Sequence, residues 1–361
     1  MAAPGGAGPH RAQNPKEGPG MMAPATPRGH GPGRRVAALA LAACLAGAGG
    51  LAGAVTPARA LEKVSYGLNW VPEGEHCGFF QAKARGLYEA AGLDVELRPG
   101  NPNVNMPLLV ASGELDMGMG SSFTTLNLVS KGIKARTVAA FFQKDPQTLV
   151  AHAGQGVATL GDLKGRPIMV GNFSRNEFWQ FLKARYGFGD DQLRPFAYSA
   201  APFLADKGVV QQGYITEDAA LLGKALPEPP VSILLADYGY DNYATSVFAT
   251  DAYIAAHRKT VQAFVEASRK GWAECMSGDP TPAMKAILAI VPTGGEELFR
   301  FKIDQMKRRG LVDGGDAAAL GLGAMTDARW KSFFDVMAKA GVYPATLDVT
   351  QAYTLDFLAA K

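Results

Sequence analysis

Val64-Ser65-Tyr66-Gly67-Leu68-Asn69-Trp70, Gly78–Ala91 and Asp94–Arg98 follow one another as an extended run, a helical pattern and a second extended run. In the middle segment Phe79, Phe80, Ala82, Leu87 and Ala90 recur at mixed helical spacings until Gly92 stops them. Pro99-Gly100-Asn101-Pro102 then bounds the third segment. The alternation continues with a helix over Val104–Ser112, a strand Leu115–Gly118, a helix from Ser122 to Lys131 and a strand Arg136–Phe142. This βαβαβ order predicts a parallel sheet with covering helices.

After Gly154 the pattern restarts. Strands are expected at Pro167–Gly171, Leu193–Tyr198, Gly213–Thr216 and Val231–Leu235, with helices at Asn176–Tyr186, Phe203–Gln211 and Asp218–Leu226 between them. From Ser246 on, after Phe248–Thr250, the chain is mostly helical, and Met325–Gly341 with Trp330, Phe333 and Phe334 reads as packing within a lobe. Two α/β units followed by helices predict an α/β protein of two lobes with a cleft between them.

The chain has 361 residues, 47% hydrophobic and 19% charged, which suits a large packed core and excludes a disordered tail. Twelve of its 43 Gly and eight of its 23 Pro fall in the first 60 residues, together with six bases against the single acid Glu17. The formal charge of +3 therefore becomes −2 for the remainder, and the apparent basicity is no argument for nucleic acid as a partner. Within that leader Arg34-Arg35 precedes an apolar run Val36–Val55, and Ala58-Arg59-Ala60 closes it with small residues where a signal peptidase reads. That order is expected of an export signal at residues 1–60, cleaved from a periplasmic protein, with Sec and twin-arginine routes both open. A retained anchor and lipidation at Cys44 are the alternatives. Downstream only Cys77 and Cys275 remain, and whether they pair is not legible; His10, His30, His76, His152 and His257 show no metal-ligand spacing.

In an open α/β sheet ligands lie beyond the carboxyl ends of the strands, which points to particular corners of the chain. Asn69 and Trp70 end the first strand, offering an amide edge and a flat apolar face for a planar ring. His76 either bonds a ligand atom or caps the helix that follows, and Cys77 reads as a small buried neighbour with no activating partner. Gly120-Ser121-Ser122 stands at a strand-to-helix corner whose free amides suit an anionic or accepting group, and Gly171-Asn172-Phe173-Ser174 is its counterpart in the second unit. Glu217 at a strand end, and Asp237 with Tyr238 after the last strand of that unit, complete the ligand-binding candidates.

Leu68-Asn69-Trp70-Val71-Pro72, Glu75-His76-Cys77-Gly78-Phe79-Phe80, Gly86-Leu87-Tyr88, Gly92-Leu93-Asp94-Val95 and Gly113-Glu114-Leu115-Asp116-Met117-Gly118 resemble the opening of one particular family. That family joins bacterial periplasmic binding proteins for thiamine-pyrimidine precursors to the fungal pyrimidine-precursor synthase, and is similar to the sulfonate, nitrate and taurine binding proteins of ABC importers. The resemblance implies a type II periplasmic binding fold, crossed twice by the chain, with residues 61–145 and 245–361 in one lobe and 146–244 in the other. It implies bending near Phe142–Val150 and Ala236–Ser246, a small-molecule ligand at the hinge, a permease at the inner membrane as partner, and no cofactor. It also places Glu217 against the exocyclic amine of an aminopyrimidine, a charge-assisted bond that would repel a sulfonate. Where the fungal synthase carries a cofactor-holding lysine and a reacting histidine this chain has Gly120 and Thr124, and the later cysteine-rich stretch is missing. The expectation is a transport protein that is not an enzyme; a sulfonate- or nitrate-binding protein, or an enzyme either synthase-like or dependent on Cys77, are the alternatives.

Overall fold

A computed structural model describes residues 60–358. The export signal, the cleavage site and Cys44 fall outside the described residues.

Among the described residues ten strands form two mixed sheets. β1 (Glu62–Gly67), β2 (Leu93–Arg98), β3 (Met117–Gly120), β4 (Ala135–Phe142) and β10 (Ala244–Thr250) make the first, in the order β2-β1-β3-β10-β4. β5 (Gln147–Ala151), β6 (Ile168–Val170), β7 (Leu193–Pro195), β8 (Val210–Tyr214) and β9 (Val231–Leu234) make the second, in the order β7-β6-β8-β5-β9. In each, three strands run parallel, as the alternation predicts: β1 with β2 and β3, and β6 with β7 and β8. The sheets are not wholly parallel, however, because one strand in each runs against its neighbours. β10 pairs antiparallel with β3 and β4, and β5 does the same with β8 and β9. Each directly follows one of the two passages of the chain between sheets, β5 after 143–146 and β10 after 235–243. β5 takes up the last four residues, 147–150, of the first stretch expected to bend.

Two boundaries move for local reasons. The helix expected over Phe203–Gln211 covers Ala201–Ala205 only. Asp206 breaks it by accepting from the Gly208 amide (2.8 Å), and Val210 already belongs to β8. β1 stops at Gly67, so Asn69 and Trp70 lie in the loop beyond it.

Aromatic residues fill the core beneath the first sheet. Phe79 meets Trp272 edge-on (5.8 Å between centroids), and Phe141 stacks on the same indole at 5.8 Å. The helix Cys77–Ala84 crosses the helix Arg258–Ser277 there at close range, with Gly78 and Gly271 face to face. A Cβ on Gly271 would run into the Gly78 carbonyl and lie 2.8 Å from the Ala82 methyl. Gly271→Ala is therefore expected to lower stability by about 1–3 kcal/mol through overpacking, read as a fall in the urea midpoint at unchanged m value. Cys77 and Cys275 join the same two helices by a disulfide, with Cα atoms 6.2 Å apart. Of the helices near the C-terminus, Asp327–Lys339 buries Trp330, Phe333, Phe334 and Met337 in one cluster with Phe123 and Phe181, so it packs against residues of both expected lobes. Among the described residues no helix is long and apolar enough to cross a membrane.

Candidate functional site

The carboxyl ends of the parallel strands in both sheets converge on one cavity of about 350 Å³. Asn69 and Trp70 follow β1, Ser121 follows β3, Phe173 and Ser174 follow β6, Phe196 and Tyr198 follow β7, and Glu217 follows β8; all line it. Trp70 is held by its own backbone, whose carbonyl accepts from the Gly100 amide at 3.0 Å. Only glycine fits at 100, since a Cβ there would lie 2.8 Å from the Trp70 nitrogen.

Trp70 and Tyr198 touch across the cavity, with ring centroids 4.8 Å apart and planes at 47°. Phe196 backs Tyr198 at 5.0 Å. Tyr198 (φ 55) and Thr245 (φ 46) are the described non-glycine residues with left-handed backbone, and both line this cavity. Such strain is held in place by its surroundings and concentrates at ligand clamps.

The wall carries neutral polar groups such as Asn69, Gln147, Gln211 and Gln212. Glu73, Glu75, Asp145, Glu177, Glu217 and Asp218 also line the cavity, whereas no Lys or Arg does among the described residues. The nearest cation stands behind the wall. Lys302, on the helix Gly295–Arg308, is almost fully buried and its Nζ lies 2.6 Å from Glu73, 3.1 Å from Glu75 and 2.5 Å from Glu217. Burial pulls its ammonium down, but the three carboxylates, Glu75 foremost, more than offset this and hold it above the usual lysine range. Thr216 adds its hydroxyl to Glu75.

Burial raises the other acids. Glu73 is pushed up to about 8, by desolvation first and then by Glu75. Desolvation likewise takes Glu177 to about 8, Asp218 to about 7 and Asp145 to about 6, against the hydrogen bonds each accepts.

His76 neither caps the following helix with its side chain nor stands free for a ligand. Its Nδ1 accepts from the Glu73 amide (3.1 Å), which leaves Nε2–H to donate to Asn69 Oδ1 at 3.3 Å. Burial lowers it to about 4, so the ring is neutral. Asn69 therefore lines the cavity with its Oδ1 already engaged by His76.

At the Ser121 corner the expected anionic guest is replaced by a group of the chain itself. Ser121 Oγ donates to Glu177 Oε1 at 2.9 Å across the cavity. Ser122 is turned away, its hydroxyl accepting from the Tyr243 amide (3.1 Å) and its amide donating to Asn242 Oδ1 at 3.1 Å, so it braces the second passage between sheets. Asn172 is exposed and off the cavity. Asp237 is exposed and 3.7 Å from Lys144, and Tyr238 receives the Tyr186 hydroxyl on its carbonyl; neither reaches the cavity. These four candidates are displaced because each spends its polar group on the backbone, a surface partner or solvent. Cys77 is buried in its disulfide with no thiol to attack, which removes the Cys77-dependent enzyme.

Glu177, Tyr198, Phe196 and Lys302 were not legible as site residues. Tyr198 and Glu177 carry a trace of a signal, since Tyr198 ends the expected strand Leu193–Tyr198 and Glu177 stands at the start of the expected helix Asn176–Tyr186.

The riboflavin-binding protein RibY of Chloroflexus aurantiacus is 24% identical to this chain over 308 residues, covering 82% of this chain and 86% of that protein. The 4-amino-5-hydroxymethyl-2-methylpyrimidine phosphate synthase of Schizosaccharomyces pombe is 25% identical over 263 residues, covering 67% of this chain and 74% of the synthase. The expectation that the chain is not an enzyme is thereby corrected: several of its relatives are named as synthases, so the absence of the lysine and histidine at Gly120 and Thr124 does not place it among non-enzymes. Among solved structures, the periplasmic aliphatic sulphonate binding protein SsuA of Escherichia coli superposes with a TM-score of 0.59 at 13% identity, covering 81% of this chain and 92% of that one. The two-sheet architecture is thus that of the periplasmic binding proteins. With the NMT1/THI5-like profile matching residues 73–283, the chain belongs to the NMT1/THI5-like family.

Proposed function

We propose that this chain captures a small planar nitrogen heterocycle, most simply a thiamine pyrimidine precursor, between its two lobes and presents it to an ABC permease at the inner membrane after export to the periplasm. The lobes are residues 61–145 with 245–361, and 146–244, closing about the two passages between sheets. One observation carries the reading: the cavity offers aromatic faces beside six carboxyl groups, with no Lys or Arg in its wall among the described residues. Aromatic faces suit a flat ring, and carboxylates suit ring amines and N–H groups. A sulfonate or nitrate would find no Lys or Arg in the wall among the described residues to pair with, so we take the likeness to SsuA to extend to the scaffold and not to the guest. The names of the relatives accord with this, one binding a flavin and the others making an aminopyrimidine.

The test is a panel of 4-amino-5-hydroxymethyl-2-methylpyrimidine, riboflavin and an alkanesulfonate against the chain lacking its leader. The aminopyrimidine is expected to raise the melting temperature by mass action and to alter intrinsic fluorescence. Trp179, Trp272 and Trp330 are fully buried, so the change should vanish in Trp70→Phe. Stabilisation by the sulfonate alone would overturn the reading.

A further inference from the structure

The six carboxylates of the cavity wall are not equivalent, and their partners separate them. Glu73, Glu75 and Glu217 share the Lys302 ammonium. Asp145 accepts from the Asn242 amide (2.7 Å) and from the Gln147 backbone (2.9 Å), tying the two passages between sheets together. Asp218 accepts from the Thr148 hydroxyl at 2.7 Å and from the backbone of Tyr214. Glu177 has one neutral hydroxyl, that of Ser121, on one of its oxygens, and the charged group acting on it is Asp145, of like sign. Yet Glu177 is 6% exposed and faces the cavity. An ionised carboxylate so buried needs a cation or several donors, and the described residues supply neither.

We propose that Glu177 is the specificity-determining acid of this cavity, the group that accepts from an amine or N–H of the bound ring, and that Glu217 acts instead by linking its strand end to Lys302. This rests on the heterocycle reading above and reassigns the role the family resemblance gives to Glu217. Ser121 and Glu177 already face each other from opposite sheets, so a ring amine reaching Glu177 would sit where the two sides of the cleft meet.

The experiment compares 4-amino-5-hydroxymethyl-2-methylpyrimidine with its 4-oxo analogue, which presents an acceptor where the first presents a donor. Affinities are measured calorimetrically at pH 9, above the value of about 8 to which burial raises Glu177. The unaltered chain is expected to prefer the amino compound. Glu177→Gln should weaken the amino compound about 10–100-fold, the loss of one charge-assisted hydrogen bond, and bind the oxo compound more tightly than before, so that the preference inverts. Glu217→Gln should weaken both to the same degree and leave their ratio unchanged. Ser121→Ala, which removes the hydroxyl and keeps the carboxylate, should retain the amino preference and covers the case in which Glu177→Gln does not fold. An unchanged ratio in Glu177→Gln, a lost preference in Ser121→Ala, or a ratio that moves in Glu217→Gln alone overturns the assignment. If neither pyrimidine binds the unaltered chain, the heterocycle reading falls and the assignment with it.

Discussion

Lys302→Met is expected to cost about 3–5 kcal/mol of stability at pH 8, because it strands three partly or fully buried carboxylates around an apolar chain. The loss should depend on pH, and its sign can be worked out from Glu73. Its carboxyl is raised from 4.5 to about 8, so the folded state holds a proton that the unfolded state releases, and stability falls as pH rises through that interval. Lys302 pulls Glu73 downward; removing it lifts the carboxyl further and carries the fall on to higher pH. Urea unfolding at pH 5 and pH 8 should therefore show a small deficit in acid and a large one in base. An equal deficit at both would mean that the ammonium matters for packing alone.

Loss of the Cys77–Cys275 disulfide should have an effect of similar size. The bridge closes a sequence separation of 198 residues. In the chain-entropy account long loops gain most, and removing a native disulfide costs about 2–5 kcal/mol. The double variant Cys77→Ala/Cys275→Ala is accordingly expected to melt well below the parent by calorimetry, at matched pH. Its helices Cys77–Ala84 and Arg258–Ser277 still pack through Gly78 and Gly271, so a cooperative transition should remain. A melting temperature indistinguishable from the parent's would show that this packing already fixes the helix pair without the covalent link.

The features that local rules reach were legible, and those made by distant residues were not. Strand ends followed by turn or cap residues identify corners, and corners are where Asn69, Trp70, Ser121, Phe173, Ser174 and Glu217 meet the cavity. Periodicity also placed nearly every parallel strand. It could not show that β10 lies between β3 and β4, since an apolar strand of either direction looks alike in one chain. Nor could it reveal Lys302, which reads as one cation on an amphipathic helix and meets Glu75 across 227 residues of sequence. The left-handed backbone of Tyr198 has no residue signature at all, because its surroundings impose it. Asp237 and Tyr238 illustrate the converse: being near a crossing of the chain does not aim a side chain at the cavity.

The place of β10 has a consequence for how this chain comes into being. Residues 147–234 hold every strand of the second sheet, in one unbroken stretch, and β5 to β9 need nothing that follows to complete their hydrogen bonding. The first sheet lacks an interior strand until residues 244–250 arrive, and until then β3 and β4 each present an open edge. A chain that emerges from its N-terminus, whether from a ribosome or a translocation pore, can therefore complete the strand pairing of the inserted sheet while the sheet that begins it waits, although the aromatic cluster against the inserted sheet closes only when Trp330 and Phe333 arrive.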